Sequence, residues 1–203
     1  MAGWETHTGA ALILEIDNID TDQLIPARFM STPRSAGYAD FLLYDVRRDA
    51  SGNLLPEFPL NAQPGASILI AGRNFGTGSS REAAVYALAD SGFRVILAPS
   101  FGDIFAANAV NNGVLPAQMA DSDIAQLKVA LTDAPDALEI SLNDKTVRCG
   151  ALSLPFVLDD TWRLKLQNGW DDIDLTLQHG DRIAAFRRAR QAQSAWAWPR
   201  NAG

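Results

Sequence analysis

The chain has 203 residues, 47% of them apolar, and a formal net charge of −7. That length and apolar share suit one domain with one sizeable core, and the negative balance argues against general affinity for nucleic acid or anionic membrane. No apolar run nears the roughly 20 residues of a bilayer span, and MAGWETHTGA lacks the basic start and apolar centre of a secretory signal. Cys149 is the only cysteine, which excludes an internal disulfide and makes a reducing cytoplasm the expected setting. One thiol and two distant histidines, His7 and His179, cannot by themselves make an ordinary zinc site or hold an iron–sulfur cluster. Any metal in the function is therefore expected to be carried mainly by something else.

Along the chain, ALILEI (11–16) is a short apolar strand candidate, followed by the turn-like DNIDTD and then QLIPARFM. Residues 31–64 are rich in Pro, Gly, Ser and Asp, and are expected to form a long irregular excursion with one short helix over 41–46. ASILIAG (66–72) has the continuous apolar character of a strand covered on both faces. A helix is predicted over 80–91, ended by Gly92, then a buried strand over 93–100, a helix over 103–112 ended by Gly113, and an extended VLPAQM. This alternation of strand and helix predicts an α/β fold with parallel pairing. An amphipathic helix over 122–131, a hairpin of ALEISL and KTVRCG around Asn143-Asp144, and helices over 161–167 and 173–192 complete the reading. The basic tail, from about 187, belongs to a stretch that carries five arginines and no acid after Asp181. It reads either as a solvated helix face and chain end or as a dock for an acidic partner surface.

The stretch GRNFGTGSSREAA (72–84) asks for more than secondary structure. Ser79-Ser80-Arg81-Glu82 fits a capping box, in which Ser79 accepts from the Glu82 amide and the glutamate reaches back. Capping leaves Gly72, Gly76 and Gly78 unexplained. Glycines permit positive φ and close approach of backbone to a ligand, and a helix start offers unpaired N–H groups. Arg81 in the first turn opposes the helix dipole by a few tenths of a kcal/mol, yet a guanidinium beside two hydroxyls suits a carboxylate gripped through two parallel hydrogen bonds. On the residues alone, a helix start and an anion site both stand, with phosphate and carboxylate undecided.

The same stretch, together with FRVILAPSFGDIF (93–105), NNGVLP (111–116), THTGAAL, DNIDTDQLIPARF (17–29) and LQNGWDDIDLTLQHGDRIAAF (166–186), resembles the small subunit of 3-isopropylmalate dehydratase, in the aconitase superfamily. The motifs lie in order over nearly the whole chain. The resemblance implies a single swivelling β/β/α domain over 1–203 that packs on a separate large subunit, and a 4Fe-4S cluster on that large subunit with no cofactor bound by this chain. It also implies a hydro-lyase of leucine biosynthesis that isomerises 2-isopropylmalate and 3-isopropylmalate through isopropylmaleate. Carried over by position, Ser79 is the base that takes a proton from carbon, and Ser80 and Arg81 contact the substrate carboxylate. Asp22 matches an active-site aspartate, with an Asx-turn role as its plainer reading. Arg34 matches an arginine that reads the far carboxylate or the side group, with a solvated loop arginine as its alternative. Small subunits usually read GCGSSREHA; Thr77 and Ala83 stand where that pattern has Cys and His, and Ala107 and Ala109 where Asn and Cys are frequent. Those differences bear on the substrate. The alternatives are a paralogue acting on citraconate, dimethylmaleate or methylcitrate, and a non-catalytic binding module.

Overall fold

In a computed structural model, residues 2–133 and 137–198 are described. Among these residues eight strands form two four-stranded sheets: β1 (Thr6–Gly9), β2 (Ala11–Leu14), β3 (Ile68–Ala71), β4 (Val95–Ala98), β5 (Leu115–Gln118), β6 (Leu138–Ser141), β7 (Thr146–Cys149) and β8 (Leu152–Pro155). One sheet is parallel, in the order β2-β3-β4-β5, and the other antiparallel, in the order β1-β6-β7-β8. Between and around them lie α1 (Thr21–Leu24), α2 (Pro59–Ala62), α3 (Glu82–Asp90), α4 (Asp103–Asn111), α5 (Asp121–Asp133), α6 (Asp160–Asn168), α7 (Asp172–Leu177) and α8 (Gly180–Gln193).

β2, β3 and β4 are apolar throughout because both sheet faces are covered. Register sets Ile13, Ile70, Leu97 and Ala117 in one row across the sheet, and Leu12, Leu69 and Ile96 in the row beside it. Successive side chains point to opposite faces. The first row enters a core shared with Leu138, Ile140, Val147 and Leu154 of the antiparallel sheet and Ile124 and Leu127 of α5. The second row enters a core shared with Ala84, Val85, Ala87 and Leu88 of α3 and with Leu42 and Leu43. Helix, sheet and sheet thus stack as layers, the β/β/α arrangement the resemblance implied.

Several local expectations need correction. Residues 41–46 are not helical: a 3-10 turn at Ala39–Phe41 ends there, and Leu43 takes φ +50° with its N–H donating to Leu24 O at 3.0 Å. The excursion over 31–64 is irregular in outline but packed, because Tyr38, Leu42 and Leu43 are buried against α3. The single helix predicted over 173–192 is two, α7 and α8, meeting at Gln178 and His179. β1 and β8 are strands that the sequence does not announce; two of the four residues in each are exposed, so neither carries a strong apolar pattern. The β6–β7 hairpin forms as expected, Glu139 opposite Arg148. Helix α8 buries no side chain, which fits the solvated-face reading of the arginines at its end. Among the described residues no helix is long and apolar enough to cross a membrane.

The two sheets are tied at their edge by His7, whose Nε2 lies 2.8 Å from Ser67 Oγ. Burial, followed by the nearby Arg94, pushes the His7 imidazole below its ordinary pKa of 6.5. The unfolded chain then takes up this proton more readily than the folded one. Stability from this site is intact above 6.5, is lost as pH falls through the lowered folded pKa, and levels off below it. Melting temperature followed from pH 7.5 to 5.5 should therefore drop more for the wild type than for His7→Gln; parallel curves would remove His7 from the pH response.

Candidate active site

The loops that follow β2, β3 and β4 meet at the carboxyl ends of the parallel strands, where open parallel sheets present their ligands. Several contacts knit them. Asp20 bridges Thr77 and Phe75 bridges Phe101 in parallel ladder fashion, and Gly76 N–H donates to Ile19 O at 2.7 Å. Gly76 has φ +73°, and a Cβ there would lie 2.2 Å from the Phe105 ring; Gly78 has φ +99°. Only glycine meets both demands at position 76. The outcome is a small hollow of about 220 Å³ lined by Thr77, Ser79, Gly102, Asp103, Ile104 and neighbours.

Ser79 and Ser80 are exposed, and among the described residues neither hydroxyl has a hydrogen-bond partner. The capping box does not form. Helix α3 starts at Glu82 with Arg81 as its cap residue, and no side chain caps it. The physical reason lies on both sides of the proposed box. Thr21 Oγ1 donates at 2.9 Å to Ser79 O, the carbonyl an N-cap residue offers to its own helix, while Glu82 accepts from Asn112 Nδ2 at 3.0 Å instead of reaching back. Burial, and then the Glu82 carboxylate beside it, raise the Tyr86 phenol above its usual pKa.

Arg81 is four-fifths buried, its side chain 18% exposed, and one guanidinium nitrogen donates to the Asp22 carboxylate. Its Nε and Nη2 have no partner among the described residues, so a pair of donors remains for a planar anion. The Asx-type role weighed for Asp22 falls to Asp20, whose carboxylate accepts from Gln23 N–H at 2.7 Å in a capping box with Gln23. That frees Asp22, 54% exposed, to orient Arg81. The structure thus brings Ser79, Ser80, Arg81 and Asp22 together, with Asp22 and Arg81 59 residues apart in sequence.

Arg34 is placed elsewhere. Its Nη2 donates to Asp90 Oδ1 at 2.6 Å, and its guanidinium lies 4.5 Å from the Tyr86 ring centre. Asp90 is the last residue of α3, about 12 Å along the helix from Glu82 at 1.5 Å per residue. Asp90 also accepts from Tyr38 N–H at 2.8 Å, so Arg34 here fastens its loop to the far end of α3. The hydrogen bond it donates to Asp90 raises the Arg34 pKa still further.

Of the four departures from the small-subunit pattern, Thr77 alone lines the hollow. Ala83 and Ala109 are buried in the core between α3, α4 and the sheet, and Ala107 is half-buried. None of these alanines lines the hollow. A larger hollow of about 560 Å³ beside β2 and α2 is lined mostly by Ala, Pro, Ile and Leu, with Glu57 its one titratable side chain among the described residues. Size does not mark the site; convergent polar groups do. Sequence reasoning missed Thr21, which it passed over between two aspartates, and Ile104, 54% exposed at the rim.

Comparison with known proteins agrees with this placement. The model of the aconitase C-terminal domain matches residues 1–122, and that of the C-terminal domain of the 3-isopropylmalate dehydratase small subunit matches residues 172–197. The small subunit of 3-isopropylmalate dehydratase from Bifidobacterium longum subsp. infantis is 48% identical, over 91% of this chain and 80% of its own. The chain belongs to the 3-isopropylmalate dehydratase small-subunit family. Further relatives bearing that name are those of Kocuria rhizophila, 45% identical over 94% of both chains, and Shouchella clausii, 42% identical over 93% of this chain and 96% of its own. The fold is that of 3-isopropylmalate dehydratase from Methanocaldococcus jannaschii, with a TM-score of 0.63 at 24% identity, covering 90% of this chain and 99% of that one. Family membership and fold therefore agree over the parts that build the Ser79 loop.

Proposed function

We propose that this chain is the small subunit of a two-chain 3-isopropylmalate dehydratase, a hydro-lyase that interconverts 2-isopropylmalate and 3-isopropylmalate through isopropylmaleate in leucine biosynthesis. The observation that carries the reading is the match to relatives of that name at 42–48% identity over more than nine-tenths of this chain. The shape of the site agrees with it. Ser79 and Ser80 are exposed, and Ile104 presents an uncovered apolar side chain beside them, as expected of half a site that a second chain completes.

The resemblance also implies a 4Fe-4S cluster. Its residues are not in this chain: such clusters are held by several cysteine thiolates, and the single cysteine, Cys149, is buried in β7 of the other sheet. We assign the cluster to the large subunit. This chain supplies proton transfer and carboxylate recognition.

In the forward direction Ser79 Oγ, as alkoxide, takes the proton from the substrate carbon. The electron pair forms the C=C bond as the hydroxyl leaves the adjacent carbon. Return of the proton and addition of hydroxide in the opposite sense give the isomer. A serine hydroxyl ionises only where fixed donors and a cation hold the resulting charge, which is the preorganised electrostatics that often dominates catalysis. The guanidinium of Arg81 and the uncapped start of α3 are the groups available. Ser80 and the free edge of Arg81 take the substrate carboxylate, and Asp22 keeps that edge turned outward.

The test is reconstitution. Mixed with the large subunit, the chain should support interconversion of the two isopropylmalates, and neither chain should do so alone. Turnover by the isolated small chain, or a reconstituted complex that hydrates citraconate while leaving isopropylmaleate untouched, would overturn the reading.

A further inference from the structure

Thr21 is a polar side chain only 2% exposed, lodged under the Ser79 loop. It makes two contacts with that loop: its N–H donates to Thr77 O at 2.9 Å, and its Oγ1 donates to Ser79 O at 2.9 Å. The two carbonyls flank Gly78, whose φ of +99° suits glycine and whose Cα side faces Thr21, an added Cβ meeting Thr21 Oγ1 at 3.5 Å in ordinary contact. Thr21 is itself fixed, as the first residue of α1, by the capping box of Asp20 and Gln23.

A trans peptide carries its C=O and N–H on opposite sides. Holding the carbonyls of residues 77 and 79 inward therefore turns the N–H groups of Gly78 and Ser80 outward, one on each side of Ser79. Neither N–H has an acceptor among the described residues. We propose that Thr21 is a positioning residue for the proton transfer: its two-point clamp sets the Ser79 backbone and aims the flanking amides at the negative charge that forms beside Ser79. The inference rests on the reading of Ser79 as the proton-transferring group. It adds a residue that touches neither substrate nor solvent.

The clamp consists of one backbone and one side-chain bond, so the side-chain half can be removed without changing volume. In the assembled two-chain enzyme, Thr21→Val should lower kcat about 10- to 100-fold with KM changed by less than about threefold, the scale of loss that small misplacements of reacting groups produce. Thr21→Ser keeps the donor and should stay within about threefold of wild type. In a Ser79→Ala background, Thr21→Val should cause no further loss, because the clamp acts only through Ser79. An unchanged kcat in Thr21→Val overturns the inference. So does a Ser variant as impaired as Val, which assigns the effect to packing, and so does an additive loss in the Ser79→Ala background, which assigns it to general structure. Ser79→Ala alone separates the two claims: if it retains turnover, the proton-transfer reading fails first, and if it loses turnover while Thr21→Val does not, only the clamp fails.

Discussion

Replacing Ser79 with alanine should reduce turnover by the assembled enzyme about 10²- to 10⁴-fold, the usual contribution of one positioned acid–base group. Assembly and melting temperature should barely move. The hydroxyl is exposed and has no hydrogen-bond partner among the described residues, so removing it breaks no internal contact there and opens no cavity. The loop is held by its backbone, through Thr21 and Ile19, and that backbone is untouched by the change. The loss should fall on kcat, with KM little altered, because an interaction made only as the proton moves does not contribute to substrate binding. Steady-state kinetics and sizing of the complex decide it. Turnover within tenfold of wild type would remove Ser79 from the chemistry.

Arg81→Lys should lower kcat/KM by roughly 10²-fold, a loss set by forfeiting a two-pronged grip on a carboxylate that an ammonium cannot reproduce. Charge is conserved in this change, so a loss of that size isolates geometry. Arg81 is four-fifths buried while Asp22 is more than half exposed. Their ion pair therefore contributes little to stability, and its role is to aim the guanidinium. Asp22→Asn retains an oxygen acceptor and should cost less than Arg81→Lys. Equal kinetics for Arg81→Lys and wild type would show that the substrate carboxylate is held by other groups.

The layers of the fold were legible because burial on both faces leaves a mark in composition. ILIA and VILA, at β3 and β4, read as strands covered on both sides from their short, β-branched apolar runs, and glycines 92 and 113 stood where α3 and α4 run out. β1 and β8 left no such mark, since half of each faces outward. The helix predicted over 41–46 failed for a tertiary reason: Leu43 takes φ +50° and gives its N–H to Leu24 O, 19 residues back, as Leu42 and Leu43 fill the core beneath α3. The helix predicted over 173–192 merged two helices, because only Gln178 and His179 separate α7 from α8 and neither is a helix-breaking residue type.

At the site, the motif pointed to Ser79, Ser80 and Arg81, but it also suggested a capping box that does not exist. A capping box is a local pattern, and it lost to bonds from distant residues. Thr21 takes the Ser79 carbonyl from 58 positions away, and Asn112 takes Glu82 from 30. Arg34, matched by position, is tied to Asp90 by a contact 56 residues apart that no spacing rule would reveal.

By itself the sequence determined the layered α/β class, the family, the glycine-lined serine loop and the want of thiolates for a cluster. Each of these is written in residue type and short-range order. Only the tertiary structure decided which aspartate orients Arg81, that Asp20 and not Asp22 caps α1, that Ala83 and Ala109 belong to the core, and that Thr21 clamps the loop. Those outcomes depend on which side chains meet once three strand ends converge, and pairing between residues far apart in the chain is settled by packing geometry that local propensity does not encode.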